Sequence, residues 1–450
     1  MKGIFDIAVK AFNVESIRKR LLYTFFILGI FMLGGLVPVP GLDGAKFTEL
    51  VQKWGQLGSI MDLVSGGGLY RATIFAMGIS PYINASIIIQ LLQVVIPALD
   101  DMSKEGEAGR KKITKITRYS AIGLALGQAC LFCYSTREAM ISTLPTWLNA
   151  AIVILSFTAG TCLVVWLGEK INDKGIGNGV SLIIFAGIVT RLPDMAKTLY
   201  AKSVDVATSF ENQAVGVVVG ILLFVGVALI AVGIIVFVLY VQNAERRLTV
   251  QYSKKTIGRS QRGGNKDYIP LKVNQSGVMP VIFAMSILAV PSMIVTFFFS
   301  AKANEDGTVA NWFAKAFTGS AYYYIVYVLL IIGFTFFYSA IQFHPIEIAN
   351  NINKNGGAIS GIRAGKPTSD YISRVAFRLN WADAFFLILV CIVPTVVGIF
   401  TGLQNVWFAG TSVLILTGVA NDLIVQVEGE LEVRNPKGFL DDIALLKGRR

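Results

Sequence analysis

Charge is scarce in this sequence: Asp, Glu, Lys and Arg make up 15% of its 450 residues, where a soluble globular chain carries roughly a quarter. With 54% hydrophobic residues and a mean hydropathy of +0.62, that shortage excludes an ordinary soluble domain. Histidine is scarcer still. The single His344 precedes Pro345 at the end of an apolar run and reads as a polar cap, not a ligand or a catalytic base. The four cysteines, Cys130, Cys133, Cys162 and Cys391, all fall inside apolar runs. Cys130 and Cys133 have C-x-x-C spacing, but no second pair accompanies them, so they read as small buried hydrophobes. Ionisable residues are missing from the middle of the apolar runs, since Arg71, Asp383 and Asp422 stand near run ends. Ion-coupled carriers need a charge near mid-bilayer, so the energy for any transport is expected to come from a partner. A membrane-embedded enzyme would lack its nucleophile, base or metal cluster, and no cofactor or metal is expected.

What the sequence does have is ten apolar runs near the ~20 residues that a spanning helix needs. They are 21–36, 72–96, 121–133, 148–167, 179–190, 215–241, 278–299, 322–342, 382–400 and 406–425. An even count puts both ends on one side. Of the 40 Lys and Arg, 31 fall in the two ends and alternate loops, and nine in the opposite loops. This asymmetry places both termini in the cytoplasm. The basic amino end, 1–20, reads as an amphipathic helix on the inner leaflet. It leads straight into a full-length run without a small-residue cleavage site, and so reads as an anchor. Five runs precede the external connection 191–213 and five follow it, as in transporters and channels built from inverted repeats.

The stretch Met77–Pro97 organises the rest. It is apolar enough for lipid, yet Pro81, Asn84, Ser86, Gln90 and Gln93 interrupt it, and each needs a partner where water is absent. On a helix Ile83 and Ile87 lie one above the other, with amides beside them, which fits a helix that lines something. Upstream, Leu57–Gly68, LGSIMDLVSGGG, is too apolar for an exterior loop and too short to cross. It is either a half-helix folded back into a cavity or a packed cap.

On the cytoplasmic side, Lys104–Lys112 is either a solvated charge run or a partner surface, and Gly175–Gly179 is a tight hairpin feeding a short, partly spanning helix. Two long basic loops, 242–272 and 343–380, could dock an acidic protein or an RNA backbone. The alternation in Arg247–Tyr252 suits a hairpin strand. Gly365–Lys366 is a near miss to a nucleotide P-loop, rejected because Ser360 and Pro367 stand where glycine and a hydroxyl residue are needed.

Six stretches in order, ISPYINASIIIQLLQ (79–93), KEGEAGR (104–110), GEKINDKGIGNGVSLIIFAGI (168–188), PLKVNQSGVMPVIF (270–283), GIRAGK (361–366) and GTSVLI (410–415), resemble the bacterial SecY family of protein-translocation channels. The resemblance implies an all-α polytopic fold of ten transmembrane helices, in two pseudo-symmetric five-helix halves, 21–190 and 214–425, around a central pore, with a cytoplasmic tail at 426–450. It implies a pore ring of Ile83, Ile87, Ile184, Ile282 and Ile415. A plug at about 57–69 would include Ser59, Ile60, Met61, Asp62, Leu63, Val64, Ser65, Gly66 and Gly67. A lateral gate would set Asn84, Ile87, Gln90 and Gln93 against Ile282, Met285, Ser286 and Val290. Arg246, Arg247, Lys254, Lys255, Arg259, Arg363 and Lys366 would meet the SecA motor ATPase or ribosomal RNA, with Ala364 standing where proline is common. SecE, SecG, preprotein, signal sequence and lipid are the other implied partners. The rival reading is a secondary transporter with inverted repeats.

Overall fold

A computed structural model describes residues 4–54, 58, 61–62, 65–141, 145–208, 213–252, 255–257, 260–262, 266–294, 321–363, 365–401 and 410–434. Among the described residues the chain is mainly helical, and seven helices are long and apolar enough to cross a membrane, or eight if one bent pair counts as a span. Each of the ten apolar runs coincides at least in part with a helix.

The chain forms two compact units, one of Met1–Lys202, Ser286–Ser320 and Ile415–Arg450, the other of Ser203–Met285 and Ala321–Leu414. In the first, α1 (Ile4–Asn13), α2 (Glu15–Gly34) and α3 (Gly44–Lys53) lead to α4 (Ser80–Val95) and α5 (Pro97–Lys104). Pro81 lies in the first turn of α4, where the missing N–H costs nothing. Pro97 forces Ile96 into an extended conformation, φ −102° and ψ 108°, and the two helices meet at 102°. Next come α6 (Glu107–Ser135), α7 (Thr146–Lys174) and α8 (Gly179–Thr208). α4 packs along α6, α6 along α7, and α2 along α7. Their core joins Phe47, Leu69, Met77, Ala125, Ala129, Phe132, Val153 and Phe157, and it includes Met293. Alanine repeats on the α6 face (Ala121, Ala125, Ala129) because small side chains let helices approach closely where lipid supplies no hydrophobic drive. Asn149 is buried and donates to the carbonyls of Gly41 and Ile141, 3.1 and 3.0 Å away, tying two connecting segments to the head of α7.

The second unit contains α9 (Gln213–Gln242), strands β1 (Glu245–Tyr252), β2 (Lys255–Ile257), β3 (Ser260–Arg262) and β4 (Lys266–Lys272), and helix α10 (Met279–Ile294), which continues into the first unit. After these come α11 (Ala321–Gln342), α12 (Pro345–Lys354), β5 (Gly357–Ile359), α13 (Lys366–Thr401) and α14 (Gly410–Arg434), whose later residues also belong to the first unit. β1 pairs antiparallel with β4, Leu248 opposite Ile269, and on its other edge with β5, Val250 opposite Ile359. Leu248 and Val250 point inward on a core completed by Leu271, Ile352, Ile359, Ile372 and Val375, while Arg247 and Thr249 face out. That is the period of two that the sequence announces.

Several sequence expectations are corrected. The connection 191–213 is largely helix: α8 runs on through Pro193 to Thr208, with Lys197 beside Asp194 at 3.8 Å on its exposed face. The helix after Gly175–Gly179 is therefore long, 30 residues, not short. At the amino end, Ala11 and Ile17 are buried in a cluster with Ile176 and Val427. Cys130 is exposed and Cys162 half-buried, for a thiol is apolar enough to face acyl chains. His344 occupies the N-cap position of α12 but its side chain makes no capping bond.

Candidate functional site

The residues nominated for a pore ring are apolar and mostly withdrawn from the surface. Ile83 is 9% and Ile87 2% exposed, one turn apart on α4, and Ile184 on α8 and Ile415 on α14 are 4% and 5% exposed. Ile282, on α10 within the second unit, is half-buried. On α4 the amides flank this apolar stripe. Asn84, Gln90 and Gln93 are half-buried, and the Gln90 amide donates to the Ser86 hydroxyl at 3.3 Å. A polar group that finds its partner one turn away on its own helix leaves the flank free to part from a neighbour. Met285 and Ser286 are half-buried, and Val290 is exposed. The Gln128 amide donates to the Met293 sulfur at 3.9 Å, which links α6 to the end of α10 within the first unit.

Of the plug candidates, Met61, Asp62, Ser65, Gly66 and Gly67 are described, while Ser59, Ile60, Leu63 and Val64 lie outside the described residues. Met61 joins the core cluster of the first unit. The Ser65 hydroxyl donates to the Asp62 carbonyl (3.0 Å) and accepts the Leu69 N–H (3.1 Å). The Tyr70 N–H donates to Asp62 Oδ1 at 2.9 Å, and Arg191 of α8 forms an ion pair with the other carboxylate oxygen. Arg191 was missed by the sequence reading because nothing local marks it: its partners, Asp62 and the Tyr70 ring, 5.5 Å from its guanidinium carbon, are remote in the chain.

In the first of the two long basic loops, Arg246 and Arg247 are exposed on β1, with Arg247 4.7 Å above the Tyr268 ring. Lys255 lies in β2, in register with Arg262, whereas Lys254 and Arg259 lie outside the described residues. Arg363 is exposed on a turn bounded by Gly361 (φ 81°) and Gly365 (φ 96°), conformations that a residue with a Cβ would adopt only with strain, and Lys366 is exposed at the start of α13. Ala364 lies outside the described residues. Around the turn between α5 and α6, Lys104 pairs with Asp100 at 2.6 Å and Lys112 with Glu105 at 3.0 Å, and the bond to Asp100 raises the Lys104 amine above its ordinary value. Asp383, near the start of an apolar run by sequence, is fully buried. It accepts from the Ser276 hydroxyl (2.5 Å) and N–H (3.3 Å), tying the segment before α10 to α13.

In sequence, residues 73–424 of the chain match the SecY family model. The chain belongs to the SecY family. A SecY relative from Streptomyces coelicolor, named a protein translocase subunit, is 42% identical over 96% of this chain and 98% of its own length. Two solved structures share the SecY fold, each covering 92% of this chain and 92% of its own. One, at 18% identity and TM-score 0.58, is described by the statement that the SecY plug domain stabilises the closed state of the translocation channel and maintains a membrane seal. The other, at 17% identity and TM-score 0.53, is Sec61 in the canine ribosome–channel complex from the endoplasmic reticulum. A SecY protein is a channel subunit and not an enzyme, and this one is a multi-pass protein of the bacterial plasma membrane.

Proposed function

We propose that this chain forms the conduit through which unfolded preproteins cross the plasma membrane and from which transmembrane segments leave sideways into lipid. Ile83, Ile87, Ile184, Ile282 and Ile415 would form the collar. Flexible aliphatic side chains dewet an empty pore and close around an extended polypeptide without hydrogen bonds that would hold it. The observation that carries this is the buried isoleucine pair of α4 flanked by neutral amides. Asn84, Gln90 and Gln93 on α4, against Met285, Ser286 and Val290 on α10, would form the lateral gate, its polar groups weakening the closed seam enough for a hydrophobic signal sequence to part it. Residues 59–67 would be the plug that closes the pore from outside.

Both termini would lie in the cytoplasm, as the basic loops require. The exposed Arg246, Arg247, Arg363 and Lys366, with Lys254, Lys255 and Arg259, would receive SecA or the ribosome, because guanidinium groups suit both carboxylate and phosphate. SecE and SecG would be the membrane partners. An inverted-repeat transporter is not favoured, since the α4 polar groups are uncharged.

Reconstitution tests the reading. Vesicles holding this chain with its small membrane subunits, given a motor ATPase, ATP and a preprotein, are expected to accumulate protease-protected preprotein. Vesicles lacking the chain should show none, and equal protection in both would count against it.

A further inference from the structure

The segment proposed as the plug is fastened to α8 by one face of that helix. Ile184, Gly187 and Arg191 stand at helical spacing i, i+3 and i+7, on one stripe. Gly66, at φ 69°, lies flush on Gly187: a Cβ there would come within 2.9 Å of the Gly187 Cα. One turn farther on, Arg191 reaches Asp62. Asp62 is completely buried, while Arg191 keeps 23% of its side chain exposed and stacks over the Tyr70 ring. Asp62 therefore has two jobs. Its Oδ1 accepts the Tyr70 N–H and its backbone oxygen accepts the Gly67 N–H at 2.9 Å, which shapes the segment, and its other carboxylate oxygen meets α8. A second pair, Arg71 with Asp194 at 3.9 Å, repeats the link with reversed charges on the exposed rim.

We propose that the Asp62–Arg191 ion pair is the latch that sets how readily the plug leaves its seat. An apolar contact would resist displacement by its whole buried area. A buried ion pair instead regains hydration when it separates into water, so its attraction and its desolvation cost nearly offset. Such a pair fixes one seated position while leaving release easy. The exposed Arg71–Asp194 pair contributes little. The inference rests on the reading of 59–67 as the plug.

The test is the resting ion leak of the purified channel complex in planar bilayers. Asp62→Asn keeps an acceptor for the Tyr70 N–H and removes the charge, and Arg191→Gln removes the other charge. Each is expected to raise the leak about twofold or more, the low end of coupling between contacting residues. Arg191→Lys, which keeps the charge, should leak less than Arg191→Gln. All are compared at equal amounts of folded complex. If Asp62→Asn and Arg191→Gln leak as wild type while deletion of 59–67 leaks strongly, the latch is overturned and the plug stands. If the deletion also leaves the leak unchanged, the plug reading itself fails. Leak in Arg191→Gln that Arg191→Lys does not lower overturns the latch as well.

Discussion

Replacing Ile83 and Ile87 together with serine should raise the resting ion current of the channel by about tenfold, which corresponds to ~1.4 kcal/mol off the barrier to permeation. Both side chains are almost fully buried, at 9% and 2% exposure, one turn apart on α4. In a collar their work is to exclude water. Serine removes that apolar surface and adds a hydroxyl that holds water, so the empty pore wets and ions follow. Cavity formation at the same positions would lower stability, so current has to be normalised to folded channel. The check is single-channel recording beside a quantified yield. Normal yield with unchanged current would mean that these isoleucines are ordinary packing.

Gly160→Leu is expected to remove most of the folded protein from the membrane. Gly160 lies on α7, where a Cβ would fall 1.9 Å from the Ile74 carbonyl oxygen and 2.7 Å from its carbon. Both obstacles are backbone, so no side chain can swing aside. The backbone of the run leading into α4 rests directly on α7, with the fully buried Phe157 nearby. Leucine would force the two apart at a cost of ~3 kcal/mol or more, a large share of the stability of an ordinary domain. Gly123 and Gly127, on the exposed side of α6, have nothing within 4 Å of a built Cβ, so the same change there should be silent. Membrane-inserted protein resistant to protease is the readout, and Gly160→Leu accumulating like Gly127→Leu would refute the packing argument.

Much of this fold is legible in the sequence because lipid imposes simple rules. A run such as 215–241 needs no partner to be recognised as α9, and β1 shows itself by the alternation around Leu248 and Val250. What escapes is whatever depends on distant residues. The pairing of β5 with β1 joins short strands far apart in the chain. The extension of α8 past Thr190 is hidden by Pro193 and by charged residues that read as loop. The same holds for the candidate site: the α4 isoleucine stripe follows from helical spacing alone, whereas Arg191 becomes meaningful only when the fold brings Asp62 and Tyr70 to it.

The most direct test of the proposed conduit is photocross-linking to a preprotein stalled in transit, with a photoreactive residue at Ile83, Ile282 or Ile415 and a control at Leu329, which is 63% exposed on α11. Adducts from all three isoleucine positions and none from Leu329 are the predicted result. Silence at the three positions while the preprotein still crosses would place the path elsewhere and contradict the pore reading.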